Sequence, residues 1–186
     1  MTTDDRESEL YDEKLSKKSA VRFAERRTSL SKDDYGTPSD EISLAKCIFG
    51  GYIYLDPCAS VESSEHFAII NYPPKTDGLL HRWFDKAYLN PPYKELRRWT
   101  EKGRTEVGVG NCREQLWLVP GRALDTRWWK CLMEFCQLVA FKDRRIKFVG
   151  AKYGAMFPSA LCYCGPNEDR FKIEVITAGW IVYKKE

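Results

Sequence analysis

The chain has 186 residues, 43% of them hydrophobic and 31% charged, with a net charge of +3 at pH 7. That is enough for one domain with a real core, no apolar run approaches the ~20 residues of a bilayer-spanning helix, and the first residues are too polar and acidic for a secretory leader. Seven cysteines at irregular spacing, two histidines and no Cys-x-x-Cys pair argue against a zinc site and suit reduced thiols in the cytoplasm. No metal is expected, and Cys162-x-Cys164 is the nearest thing to a ligand pair.

The charge is unevenly spread. Residues 1–13 carry six acids and one arginine, and residues 14–32 carry seven Lys/Arg and one glutamate. Segment 94–113 nets +3 and segment 122–147 nets +4. Basic clusters of this kind suit a polyanionic partner, although many are plain solvated surface. Residues 1–33 read as a charged arm, with the first dozen disordered and one amphipathic helix around Val21, Phe23 and Ala24. A domain is expected over 34–186.

Within it, Thr37 is placed to cap a helix, Pro38 to open it, and Asp40 and Glu41 to meet its positive end. Ile42, Leu44, Ala45, Ile48 and Phe49 give the apolar face, and Gly50-Gly51 ends the helix. Tyr52–Leu55 is a strand closed by Asp56-Pro57-Cys58-Ala59-Ser60. That stretch is either an ordinary Asp-Pro turn or an acid at a strand's carboxyl end waiting for a cation. Phe67–Ile70 reads as a second strand, Tyr72–Lys75 as a loop, and 77–83 as a short helix holding Trp83, with Asp77 either capping it or facing a ligand.

Ala87–Leu89 is a buried strand stopped by Asn90-Pro91-Pro92-Tyr93, since neither proline has an N–H for a ladder. Asn90 offers a carbonyl acceptor, the prolines offer backbone carbonyls, and Tyr93 offers an aromatic face. Such a set can hold a planar amino group and stack on its ring. A basic helix with Leu96 and Trp99 follows. Next come a strand Gln115–Val119 closed by Pro120-Gly121, and a helix filled by Trp128, Trp129, Leu132, Met133, Phe135 and Cys136. Segments 137–141, 145–148, 155–163 and 171–183 read as strands. Strands alternating with helices, then a strand-rich tail, predict an α/β fold with a mixed sheet.

Gly36-Thr37-Pro38, Leu55-Asp56-Pro57-Cys58-Ala59, Asp77-Gly78-Leu79 and Asn90-Pro91-Pro92-Tyr93 stand in one order. So arranged, the chain resembles the small phage-type, Dam-like DNA adenine-N6 methyltransferases over about residues 33–165. The likeness continues through Leu118–Arg122, Thr126–Trp129 and Arg144–Phe148. It implies a compact Rossmann-like fold that uses S-adenosylmethionine. It also implies that Thr37 and Pro38 touch the methionine end of that cofactor and that Asp56 binds its ammonium in the turn of Pro57, Cys58 and Ala59. Asp77 would meet its adenine, and Asn90, Pro91, Pro92 and Tyr93 would form the catalytic loop. In that loop the Asn90 side-chain oxygen and the Pro91 backbone oxygen would accept the hydrogens of adenine N6, with Tyr93 stacking on a flipped base.

Two departures accompany the resemblance. No Gly-x-Gly follows Asp56, and Ile69-Ile70-Asn71 stands where an acid for the ribose hydroxyls is expected. Asp56 and Asn90 are only 34 residues apart, and together these features suggest either a trimmed sheet or weak cofactor binding. DNA is the expected partner of a monomer or weak dimer, through Arg97, Arg98, Lys102, Arg104, Arg122, Arg127, Arg144 and Arg145. Methylation of RNA adenine or a protein glutamine remains open at this point, as does a non-catalytic nucleic-acid-binding role.

Overall fold

Residues 36–60, 67–122 and 124–184 are described by a computed structural model, in which helices cover the two faces of a single sheet. The arm over 1–33, with its expected disorder and helix, lies outside the described residues. Helix α1 (Ser39–Ile48) is followed by strands β1 (Ile53–Asp56), β2 (Ala68–Asn71) and β3 (Asp85–Leu89). Then come α2 (Leu96–Gly108), β4 (Cys112–Pro120), α3 (Arg127–Phe135), β5 (Leu138–Lys142), β6 (Ser159–Cys164), α4 (Glu168–Thr177) and β7 (Trp180–Lys184). The seven strands form one mixed sheet in the order β2-β1-β3-β4-β6-β5-β7. Strands β1 to β4 pair in parallel, while β6 runs antiparallel to β4 and β5, and β7 antiparallel to β5.

Strand β4 shows why helices cover both faces. Its side chains alternate, with Leu116 and Leu118 in one core and Trp117 and Val119 in the other. Leu44, Ala45 and Ile48 of α1 and Phe171 and Val175 of α4 pack on the first face. Leu96 and Trp99 of α2 and Trp129 and Leu132 of α3 pack on the second. Helix α1 closes where Gly50, at φ 78°, turns left-handed. The Gly51 N–H then reaches Lys46 O at 2.7 Å and the Gly50 N–H reaches Cys47 O at 3.1 Å, which satisfies two end carbonyls.

Four expectations are corrected. Segment 77–83 is not a helix: residues 78–80 make a turn, and Trp83 lies in an extended stretch. The indole of Trp83 donates to Gly78 O at 2.8 Å and stacks between Trp99 and Trp117. The crossover from β2 to β3, residues 72–84, therefore has no helix at all. It is about the minimum length for joining parallel strands, and it accounts for much of the short spacing from Asp56 to Asn90.

Segment 145–148 is not a strand either. Ile146 and Phe148 are buried in the first core, but the backbone there makes only a bridge between Val149 and Gly36. Ladder pairing in 155–163 begins only at Ser159. In 171–183 the helical period wins over the alternating one. Phe171 and Val175, four apart, are buried in α4, whereas Ile173 is exposed. Only Trp180–Lys184 is a strand.

Candidate active site

Strand β1 leads out to β2 on one side and β3 leads on to β4 on the other, so the carboxyl ends of β1 and β3 flank a topological switch point. Leu55 pairs with Ala87, which brings Asn90 off the sheet beside the turn after Asp56, where its backbone neighbours Cys58. Asp56 is buried, and its Oδ1 accepts the Cys58 N–H at 3.0 Å. Burial pushes its carboxyl up to about 7, against the pull of the Cys58 N–H. The neighbouring Cys58 thiol is pushed far up by burial and then by the Asp56 carboxylate, with the Asn90 backbone as another neighbour. It is therefore a neutral thiol, and Ala59 behind it is buried.

Gly78 explains how Asp77 joins the group. A Cβ on Gly78 would stand 1.9 Å from the Pro57 carbonyl oxygen, so only glycine lets loop 77–80 lie on the turn after β1. Asp77 is buried and left-handed at φ 51°. Its Oδ1 accepts the Leu79 N–H at 3.3 Å and its carbonyl accepts the Leu80 N–H at 2.9 Å. It organises a turn rather than capping a helix.

Thr37 has a different partner from the one its cap position suggests. Pro38 is the N-cap of α1, with no side-chain cap, and its carbonyl takes the Glu41 and Ile42 N–H groups. The Thr37 hydroxyl instead accepts Asn90 Nδ2 at 3.2 Å, across 53 positions of sequence. The donor half of the Asn90 amide is thus held by Thr37. Pro91 is buried, and Pro92 opens the 3-10 turn Tyr93–Glu95.

The Tyr93 hydroxyl is buried without a hydrogen-bond partner among the described residues, and burial raises its titration point. The Tyr93 ring lies 5.7 Å from that of Phe157, with the Arg122 guanidinium 4.0 Å above the far ring. Phe157, Tyr88 and Asn71 were missed in the sequence. An aromatic-proline pair just ahead of β6 was the available signal for Phe157. Tyr88, fully buried between β3 and α1, has its hydroxyl pushed well up by burial, with Thr37 facing it. Asn71 pairs with Asp56 across β1 and β2. Its Nδ2 donates to Ala68 O at 2.7 Å, and its Oδ1 is buried without a partner among the described residues.

The basic residues fall into two groups. On α2 each is matched to an acid: Arg97 with Glu101 at 2.9 Å, Arg98 with Glu95 at 2.7 Å, Lys102 with Glu106 at 2.5 Å, and Arg104 with Glu134 at 2.5 Å. Arg122, Arg127, Arg144 and Arg145 are exposed on the loops and helix start that follow β4 and β5, at the same edge as Asn90, and of these Arg144 has an acid near it, Asp143 Oδ1 at 3.9 Å. Among the described residues no three His, Cys, Asp or Glu are grouped to hold a metal, and no helix is long and apolar enough to cross a membrane.

This edge of the sheet carries the comparison that decides the family. Residues 26–160 match the family model described as DNA N-6-adenine-methyltransferase (Dam). The chain belongs to the Dam family. No curated protein matches it. The Dam match takes in every residue of the crevice, from Thr37 through Asp56, Asp77 and Asn90 to Phe157.

Proposed function

We propose that the chain transfers a methyl group from S-adenosylmethionine to the N6 amino group of adenine in DNA, with the base flipped out of the duplex. The observation that carries this reading is the Thr37–Asn90 hydrogen bond, which holds the Asn90 amide at the switch point, with the turn after the buried Asp56 next to the Asn90 backbone. Asp56 fits the cofactor's amino-acid end. A carboxyl that burial has driven up to about 7 recovers its charge when a cation comes against it. Thr37 and Pro38 flank that position, Asp77 borders it, and Asn71 Oδ1 is the acceptor available where an acid for the ribose is missing.

The cofactor supplies an electrophilic methyl on sulfur. The residues of the chain do the rest by orientation and electrostatics. With Nδ2 held by Thr37, Asn90 presents its carbonyl oxygen to one hydrogen of the adenine amino group, and Pro91 presents its backbone oxygen to the other. Two acceptors draw the nitrogen away from planarity, aim its lone pair, and stabilise the positive charge that grows on it. No strong base is needed for a nitrogen that becomes acidic as it is alkylated. Tyr93 supplies a stacking face, worth ~1–3 kcal/mol per base. The chain is taken to work in the cytoplasm of a bacterial host, as a phage-encoded monomer or weak dimer.

Labelled methyl transfer to DNA, RNA and protein, run in parallel, tests the reading. DNA should be labelled, and Asn90→Ala should lose transfer by roughly 100-fold or more while cofactor binding by calorimetry stays unchanged. Label appearing only in RNA or protein, or an active Asn90→Ala, would sink it.

A further inference from the structure

We propose that loop 143–158 docks on duplex DNA and that Met156 is its wedge, the side chain that takes up the space in the stack when a base leaves it. This rests on the reading of the active site given above. The loop joins β5 to β6 at the carboxyl edge of the parallel strands, the edge that carries Asn90. It is held at several points. Ile146 and Phe148 are buried in the core, the Ala155 N–H donates to Ile146 O at 2.8 Å, and the Val149 N–H donates to Gly36 O at 2.9 Å. The Gly36 bond fastens the loop one residue from Thr37. At its other end Phe157 lies against Tyr93.

Met156 stands between these anchors and takes part in neither core. It is 83% exposed, although its neighbour Phe157 contacts the ring proposed to stack on the target base. Val149 and Tyr153 of the same loop are exposed as well, at 51% and 72%, and single exposed apolar residues need no explanation; Met156 differs in being the most exposed of the three and the one that adjoins Phe157. The same loop carries Arg144, Arg145, Lys147 and Lys152 against one acid, Asp143, and all four cations are exposed. A thioether on an unbranched, flexible stem adapts to irregular gaps, and methionine is among the side chains that insert between base steps. The cations would hold the phosphates on either side, and the anchored backbone would keep the wedge one residue from the acceptor site. A protein surface has no matching array of phosphates, so duplex DNA is the partner this pattern fits.

The test compares Met156→Ala and Met156→Leu with the wild-type chain on native plasmid and on the same plasmid heat-denatured. Removing the wedge should cut methyl transfer to native plasmid by roughly tenfold, because extruding a base from a duplex must overcome pairing and stacking. Transfer to denatured plasmid should change by less than about twofold, since no base need leave a helix there. Leucine should restore most of the loss. A second measurement does not depend on turnover: fluorescence of 2-aminopurine placed for adenine in a duplex should rise on binding wild-type chain and not on binding Met156→Ala. Equal losses on both plasmids, or no loss on either, would overturn the wedge and leave the active-site reading intact. A chain that unstacks 2-aminopurine but methylates neither plasmid would retain the wedge and defeat the reading. Failure to bind duplex DNA would overturn both.

Discussion

Two buried carboxylates at opposite ends of the sheet show how differently the same group can be treated. Glu114, near the start of β4, is closed in. Tyr163 OH donates to it at 2.7 Å, Asn167 Nδ2 donates as well, and Lys86 Nζ stands 3.9 Å away. Asp56, at the end of β1, accepts the Cys58 N–H of its own turn, and burial drives its carboxyl up to about 7. The first takes both hydrogen bonds on Oε1, leaves Oε2 buried with Lys86 as its neighbouring charge, and ties β4, β6 and the entry to α4 together. The second is held by the fold in an environment that favours its neutral form. A buried acid whose donors come only from its own turn, at a switch point, is a place for a cation that the chain does not itself provide.

The largest expected effect is on stability at Glu114. Glu114→Ala leaves Lys86 with no carboxylate and strips Tyr163 and Asn167 of their acceptor, so unfolding by urea should show a loss of about 3 kcal/mol. A loss below half that would mean that the network is not structural.

Asp56→Asn should move in the opposite direction. In the unfolded chain the carboxyl titrates near 3.8 and in the folded chain near 7, so folding binds a proton between these values. The stability of the ligand-free chain then falls as pH rises from about 4 to 7. With an amide in place of the carboxyl this fall disappears, so the D56N variant should melt higher than wild type at pH 8 and lose about tenfold or more in cofactor affinity. For wild type, cofactor affinity should strengthen as pH rises through 7 and then level off. Identical melting profiles for the two chains would place Asp56 in the same class as Glu114.

Asn71→Ala tests the orphan acceptor next to Asp56. Loss of one hydrogen bond of ordinary strength corresponds to a roughly fivefold weaker cofactor, by calorimetry. Unchanged affinity would remove Asn71 from the site.

The smallest effects concern the surface charges. Each phosphate contact contributes about 0.9 to the slope of log affinity for duplex DNA against log salt. Arg145→Ala should lower that slope by about one contact, and Arg144→Ala by less, because Asp143 stands 3.9 Å from its guanidinium. Arg97→Ala should leave it nearly unchanged, because that charge is already matched by Glu101. Equal slopes for all three variants would erase the distinction between α2 and the carboxyl-edge loops.

The strands and helices with strong local patterns were legible in the sequence. Helix α1, strands β1 to β4 and the aromatic helix α3 all stand within a residue or a few of where their patterns place them, although the cap expected of Thr37 is not made. Helix α4 was not, because Phe171 and Val175 satisfy periods of two and of four equally well until a core is there to choose. Turn 77–80 was misread as helix because the deciding contact, Gly78 against the Pro57 carbonyl, joins residues 21 positions apart. The site divides in the same way. Asp56 and Asn90–Tyr93 could be picked out because prolines mark their turns. Phe157, Asn71 and the true partner of Thr37 could not, because each owes its place to a neighbour distant in the chain. Pairing likewise decides which arginines carry usable charge, and counts along the sequence do not register it.

The bond from Asn90 to Thr37 has a consequence for how this chain can diverge. On the proposed reading, one hydroxyl would serve both the segment that borders the methyl donor and the amide that receives the base. Valine would fill the same volume, yet it would release the amide. Affinity for the donor and rate toward the acceptor therefore cannot drift independently at residue 37, and descendants that keep the chemistry are confined there to threonine or serine.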